Sequence, residues 1–130
     1  GIEWTYRKID NGRKVEIRGA HISEPAIDRG TRGFVTVPDK IRSTTVSRIG
    51  HNAFNGCRRI TGITIPDGVT YIGKNAFEGC SSILSISVPD SVTYIGSDAF
   101  INCDGPGKTV TYKGVTYDYR DIVSIYSLFN

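Results

Sequence analysis

Hydrophobic and polar positions recur along the middle of the chain with a period of 23 residues. Phe54 is followed at that interval by Phe77 and then by Phe100. Four other columns keep the same spacing: Ile49, Ile72 and Ile95; Gly50, Gly73 and Gly96; Ala53, Ala76 and Ala99; and Cys57, Cys80 and Cys103. Residue types held together at one period indicate a single supersecondary unit stacked along an axis, with each unit burying its apolar face against its neighbours.

Each unit has the pattern of a short strand followed by turns. Residues 63–65 (Ile-Thr-Ile) alternate apolar, polar, apolar, which predicts a strand with one buried face. Residues 66–68 (Pro-Asp-Gly) have the chemistry of a turn. Gly73 is expected to turn the chain again, and residues 75–80 are expected to form a short helical turn with Phe77 facing inward.

The flanks of the repeats predict caps for the two ends of the stack. Residues 4–6 and 14–18 alternate around Asp10-Asn11-Gly12, a strong hairpin signal. Residues 109–112 and 115–117 flank Lys113-Gly114 in the same manner, and apolar residues at 122, 125, 126 and 129 predict a closing helix. The first unit is longer than the others, since Pro38 to Pro66 is 28 residues, and residues 40–45 are expected to form a protruding loop.

Together these patterns predict an α/β solenoid of about three 23-residue units with a parallel strand face. The 130 residues form a single domain, because the length suits one hydrophobic core. Residues 1–34 are expected to form an N-terminal hairpin cap, residues 35–103 the repeats, and residues 104–130 a C-terminal cap of a hairpin plus a helix.

Charge and hydropathy narrow the range of partners. No apolar run is long enough for membrane insertion. The net charge of +3 is too small to indicate nucleic acid. Residues 1–60 hold twelve Lys or Arg against six Asp or Glu, whereas residues 61–130 hold four against seven. The basic end is interpreted either as a solvated surface or as a region that attracts an anionic glycan, a wall polymer or an acidic protein.

The sequence contains no recognisable catalytic or cofactor motif. The three cysteines lack CxxC spacing and are predicted to be small buried hydrophobic residues without a metal. His21 and His51 have no partner at a spacing that signals a triad. Asp39, Asp67 and Asp90 follow prolines in predicted turns, with a cation site as the alternative. The sequence therefore predicts neither an enzyme nor a bound cofactor.

The candidate binding residues are polar positions that the alternation turns outward. Thr36, Thr64, Ser87 and Thr111 are predicted to point outward from the strands, in the same set of outward positions as Glu16. Arg48, Tyr71 and Tyr94 are predicted to form an exposed column beside them. Tyrosine and arginine are frequent at binding hot spots. The alternative is that the two tyrosines only stack on each other along a ridge.

The unit resembles the BspA-like branch of the leucine-rich repeat family. The segments ITIPDGVTYIGKNAFEGCSSIL and ISVPDSVTYIGSDAFINC carry the resemblance, with VTVP…VSRIGHNAFNGCRRI as a looser copy, so that it covers residues 35–103. This chain departs from the family pattern in having isoleucine rather than leucine after the Cys motif, and it is short. The resemblance implies a right-handed, curved solenoid with a strand-lined face.

Members of that family are mostly surface or secreted proteins of host-associated bacteria and are associated with adhesion. The resemblance therefore implies a non-catalytic recognition module, secreted or at a cell surface, that binds a protein or a glycan. We expect it to be a monomer as an isolated domain. The alternative is a structural spacer or assembly repeat of a larger secreted protein, with no ligand of its own.

Overall fold

A computed structural model of the chain describes residues 1–21, 23–101, 103, 107–118 and 120–129. Its strands are β1 (Tyr6–Ile9), β2 (Lys14–Ile17), β3 (Gly33–Thr36), β4 (Lys40–Ile41), β5 (Thr44–Ile49), β6 (Ile60–Thr64), β7 (Tyr71–Ile72), β8 (Ser85–Val88), β9 (Tyr94–Ile95), β10 (Thr109–Tyr112) and β11 (Val115–Asp118). Helix α1 spans Val123–Tyr126, and short 3-10 helices span Asp10–Gly12 and Ser127–Phe129.

The strands form two sheets. Sheet A has the order β1-β2-β5-β7-β9, with β4 paired to β5, and sheet B has the order β11-β10-β8-β6-β3. Successive coils contribute one strand to sheet B and then one to sheet A, so that neighbours from successive coils pair in parallel. Antiparallel hairpins close opposite ends of the two sheets: β1 with β2 in sheet A, and β10 with β11 in sheet B. The molecule is therefore a β-solenoid of about three turns.

A file of stacked aromatic rings runs through the core. The Phe54 and Phe77 rings lie 5.2 Å apart at 7° and the Phe77 and Phe100 rings lie 5.6 Å apart at 10°. These three side chains are at most 1% exposed, so the predicted inward column is confirmed. Trp4 packs edge-on against Phe54, and Tyr126 stacks on Phe100 and accepts its backbone N–H at 2.9 Å. Residues from both caps thus close the two ends of the file.

The cysteines line the same core, as predicted, and none of them forms a disulfide. The Cys80 Sγ donates to the carbonyl oxygen of Phe54 at 3.1 Å, and the Cys103 Sγ donates to that of Phe77 at 2.6 Å. Burial raises the pKa of Cys57 to about 11. The hydrogen bond with Cys103, together with burial, raises the pKa of Cys80 as well. At neutral pH the thiols of Cys57 and Cys80 stay protonated. The hydrogen bonds of Cys80 and Cys103 each join one coil to the previous one.

The predicted helical turn is absent from the repeat. Residues 75–80 form consecutive turns, because Asn75 has φ 58° and Gly79 has φ 73°, and left-handed residues cannot continue a right-handed helix. The equivalent residues Asn52 and Asp98 have φ 60° and 59°. The α component of the predicted α/β solenoid was therefore wrong for the repeats.

Gly73 and Gly96 have a different role from the one that the sequence suggested. A Cβ on Gly73 would lie 2.6 Å from the backbone nitrogen of His51, and one on Gly96 would lie 2.6 Å from that of Lys74. Both contacts are with the backbone of the preceding coil. Glycine is needed here because the coils approach closely, and not because the chain turns.

The expected loop at residues 40–45 is a small hairpin. Strand β4 pairs antiparallel with the start of β5, and the turn between them places Arg42 and Ser43 at φ 48° and 69°. At the C-terminus, helix α1 and the residue before it bury Ile122, Ile125 and Tyr126 against the last coil.

Candidate binding surfaces

The seven predicted site residues lie on two different sheets. Thr36, Thr64, Ser87 and Thr111 belong to strands β3, β6, β8 and β10 of sheet B. Arg48, Tyr71 and Tyr94 belong to strands β5, β7 and β9 of sheet A. Each set is brought together by strand pairing. The two sets belong to different sheets, whereas the sequence predicted the Arg48 column directly beside the outward hydroxyl positions.

A row of hydroxyl groups crosses sheet B. Pairing places Thr36 beside Thr64, Thr64 beside Ser87, and Ser87 beside Thr111, so that neighbours are separated by the strand spacing of about 4.8 Å. The last strand adds Thr116, whose Oγ1 lies 3.1 Å from the Oγ1 of Thr111. We call these five residues the hydroxyl row. Four are exposed and Thr111 is half-buried.

An apolar groove adjoins the hydroxyl row. Phe34 is 67% exposed, and its ring covers Gly62 so closely that a Cβ there would lie 2.6 Å from the ring carbon Cδ2. Leu84 is 63% exposed and lines the same groove, which has a volume of about 550 Å³ and includes Thr64 and Ser87. Sequence reasoning missed Phe34. Strand alternation contained this signal. Phe34 and Thr36 stand on either side of the inward Val35, so both point to the outer face.

The predicted column on sheet A is a continuous stack. The guanidinium carbon of Arg48 lies 3.8 Å from the centroid of the Tyr71 ring, and the Tyr71 and Tyr94 rings are 5.0 Å apart at 17°. Phe129 contacts the Tyr94 ring edge-on at 5.9 Å. Both tyrosines are half-buried, and burial, partly offset by Arg48, raises the pKa of Tyr71. The stacking alternative thus describes the geometry, with part of each tyrosine still open to solvent.

Glu16 lies elsewhere than predicted. It belongs to sheet A, next to Arg48, and is 5% exposed. The Arg7 Nε donates to its Oε1 at 3.1 Å, and Arg18 and Arg48 each have a nitrogen 3.9 Å from the carboxylate. A buried charge needs partners, and three arginines supply them here. Strand alternation alone gave no signal of this burial.

The other candidate residues provide no catalytic arrangement. The His51 Nδ1 accepts the backbone N–H of Lys74 at 3.0 Å, which links two coils. Asp39, Asp67 and Asp90 are exposed. Within the part of the chain that the structure describes, no three side chains of His, Cys, Asp or Glu are grouped so that they could hold a metal ion. No helix formed by the described residues is long and apolar enough to cross a membrane.

Comparison with solved structures gives two matches to leucine-rich repeat proteins. A leucine-rich cell surface protein of Faecalibacterium prausnitzii A2-165 matches 89% of this chain with a TM-score of 0.65 and 24% identity. This chain spans only 30% of the length of that one. A leucine-rich repeat protein of T. pallidum matches 78% of this chain and 65% of its own, with a TM-score of 0.44 and 20% identity.

Sequence comparison gives the family. No curated protein matches the chain significantly. A family model described as a BspA type leucine rich repeat region of 6 copies matches residues 36–118, from the end of β3 through β11. Because this match covers more than half of the chain, the protein belongs to the BspA-type leucine-rich repeat family.

Proposed function

We propose that the chain is a non-catalytic recognition module, secreted or displayed at a bacterial cell surface, that binds a protein or glycan through the outer face of sheet B. The observation that carries this proposal is the hydroxyl row, in which Thr36, Thr64, Ser87 and Thr111 stand side by side on parallel strands. Membership of the repeat family and similarity to a cell surface protein support the proposed location, secreted or at the cell surface.

The hydroxyl row suits recognition because each group both donates and accepts hydrogen bonds. The side chains are short and stand on a rigid sheet, so that ordering them on binding costs little conformational entropy. In the described part of the chain, no His or carboxylate makes a hydrogen bond to a hydroxyl of this row, whereas nucleophilic catalysis needs such a base.

The groove beside the row supplies the apolar part of the surface. Phe34 and Leu84 are both largely exposed, and covering them with a ligand would remove apolar area from water. Aromatic anchors surrounded by polar groups are typical of binding hot spots. We therefore expect Phe34 to contribute more to affinity than any single hydroxyl of the row.

Adhesion of the purified domain to immobilised mucin and to extracellular-matrix proteins tests the proposal. We expect binding by the wild type and a loss of about tenfold or more for Phe34→Ala, the size of one hot-spot contact. The double variant Thr64→Val with Ser87→Ala should also bind more weakly. Ser97→Ala is the matched control and should bind like the wild type. Ser97 is an exposed residue in the turn that follows strand β9.

Two outcomes would count against this assignment. One is unchanged adhesion of the sheet B variants when their circular dichroism and thermal unfolding match the wild type. The other is an absence of adhesion by the wild-type domain itself, which would favour the alternative of a structural spacer within a larger protein.

A further inference from the structure

We propose that a second, independent site lies on sheet A, where Arg7, Arg18 and Arg48 form an anion-binding cluster that takes the carboxylate or sulfate groups of an acidic polysaccharide. We call these three residues the arginine cluster. This proposal does not rest on the binding role of sheet B, because the arginine cluster shares no residue with the hydroxyl row or the groove.

The charge of the cluster is unbalanced. Glu16 is the one carboxylate within 4.0 Å of these three arginines among the described residues. Three guanidinium groups around one carboxylate leave a local charge of about +2. The Glu16 side chain is only 7% exposed, whereas the side chains of Arg7, Arg18 and Arg48 are 56%, 24% and 38% exposed. The negative charge is thus buried beneath cations that still reach the solvent.

The cluster also has hydrogen-bonding capacity to spare. Of its three contacts with Glu16, only that of Arg7 is at hydrogen-bond distance, 3.1 Å. The nitrogens of Arg18 and Arg48 lie 3.9 Å from the carboxylate, which is too far for a hydrogen bond. The Arg18 Nε donates to the carbonyl oxygen of Gly19 at 3.2 Å. Each guanidinium carries five N–H donors, so the hydrogen bonds to Glu16 and Gly19 leave further N–H groups of the cluster for a ligand.

Packing holds Arg48 in place before any ligand arrives. Arg48 lies over the Tyr71 ring at 3.8 Å, and Tyr71 is in turn stacked on Tyr94. A cation held on an aromatic face loses less freedom on binding than a flexible surface arginine. Arg48 therefore presents N–H donors that are positioned before binding, and Arg7 is held beside it by its hydrogen bond to Glu16.

The position of the cluster on the face of a sheet favours a polysaccharide over an acidic peptide. Backbone N–H and C=O groups of paired strands are used in the sheet, so a peptide lying across the face would find few partners for its own backbone. A polysaccharide is joined by glycosidic bonds and has no peptide backbone to satisfy, and its hydroxyls can pair with the phenol groups of Tyr71 and Tyr94. The faces of these two rings are already covered by neighbours, so their open parts suit hydrogen bonding better than stacking.

Binding of the purified domain to immobilised heparin and hyaluronate, with neutral dextran and poly-L-glutamate for comparison, tests this inference. We expect binding to the two acidic polysaccharides that weakens as salt rises, because exposed charges are screened. Arg48→Gln should weaken it about tenfold or more, the size of one charge-assisted contact. Glu16→Gln should strengthen it, since it removes the competing carboxylate.

The control is Arg58→Gln, which removes the same charge from an exposed arginine just before β6 and should change the affinity less than about twofold. If Arg48→Gln proves unfolded by circular dichroism, Arg7→Gln replaces it, because Arg7 is the most exposed of the three. The inference is overturned by an absence of binding, by an equal loss in Arg58→Gln, or by poly-L-glutamate binding as tightly as the polysaccharides. The sheet B variants should leave this binding unchanged, so that the two proposals can fail separately.

Discussion

At the scale of single residues, backbone geometry explains why several positions repeat. Asn52, Asn75 and Asp98 share a left-handed conformation, which Asn and Asp tolerate better than most residues. Their repetition was visible in the sequence, but the same residue types also favour side-chain bonds in turns. The sequence could not separate these two reasons. The Nδ2 of Asn55 does donate to the Oδ1 of Asn52 at 3.0 Å, but the property that all three share is the positive φ.

Gly73 gives a prediction at this scale. Replacing it with alanine should lower the free energy of unfolding by about 1–3 kcal/mol, because the new methyl would press on the His51 backbone, which cannot move aside as a side chain could. Urea unfolding followed by circular dichroism measures this change.

Gly68→Ala is the matched control for that experiment. Its Cβ would lie 3.2 Å from a methyl of Thr45 and 3.3 Å from the carbonyl oxygen of Val46, so only a small adjustment is needed. An equal loss of stability in both variants would contradict the close approach of the coils at Gly73.

At the scale of elements, the period of 23 residues predicted the strands and the buried file of rings, but not the assignment of strands to two sheets. Alternation distinguishes the inward from the outward side of a strand. It does not say which sheet a strand joins, and for this reason Tyr71 was expected beside Thr64. The helical turn was wrong for a local reason, since the apolar spacing of residues 76–80 fits a helix while the conformations of Asn75 and Gly79 exclude one.

The ring file gives a prediction at the scale of one coil. Phe77→Ala should cost about 3–5 kcal/mol of unfolding free energy, because it removes a fully buried ring and leaves a cavity between Phe54 and Phe100. Phe77→Leu should cost less, since it fills part of that volume.

Phe34→Ala serves as the internal comparison, measured by the same urea titration. Phe34 is 67% exposed, so its loss should change the stability much less than the loss of Phe77. If the two alanine variants were equally destabilised, the distinction between a core ring and a surface ring would be wrong.

At the scale of the whole molecule, the caps and the charge distribution determine which surfaces the solenoid can present to a partner. Trp4 and Tyr126 close the two ends of the ring file, and Phe129 closes the tyrosine stack of sheet A at its C-terminal end. The excess of basic residues in positions 1–60, visible in the sequence, includes the arginine cluster. The burial of Glu16 beneath it depends on the pairing of β2 with the neighbouring β1 and with the distant β5, which the pattern of a single strand does not reveal.

The central claim is that stacked coils bury one continuous file of phenyl rings, and nuclear Overhauser contacts in a sample with labelled phenylalanine test it most directly. The distances of 5.2 Å and 5.6 Å between ring centroids predict cross-peaks from Phe77 to both Phe54 and Phe100. Phe34, exposed on sheet B, should show no cross-peak to any of these three. Rings of Phe54, Phe77 and Phe100 that gave no mutual cross-peaks in the folded protein would contradict the stacked solenoid.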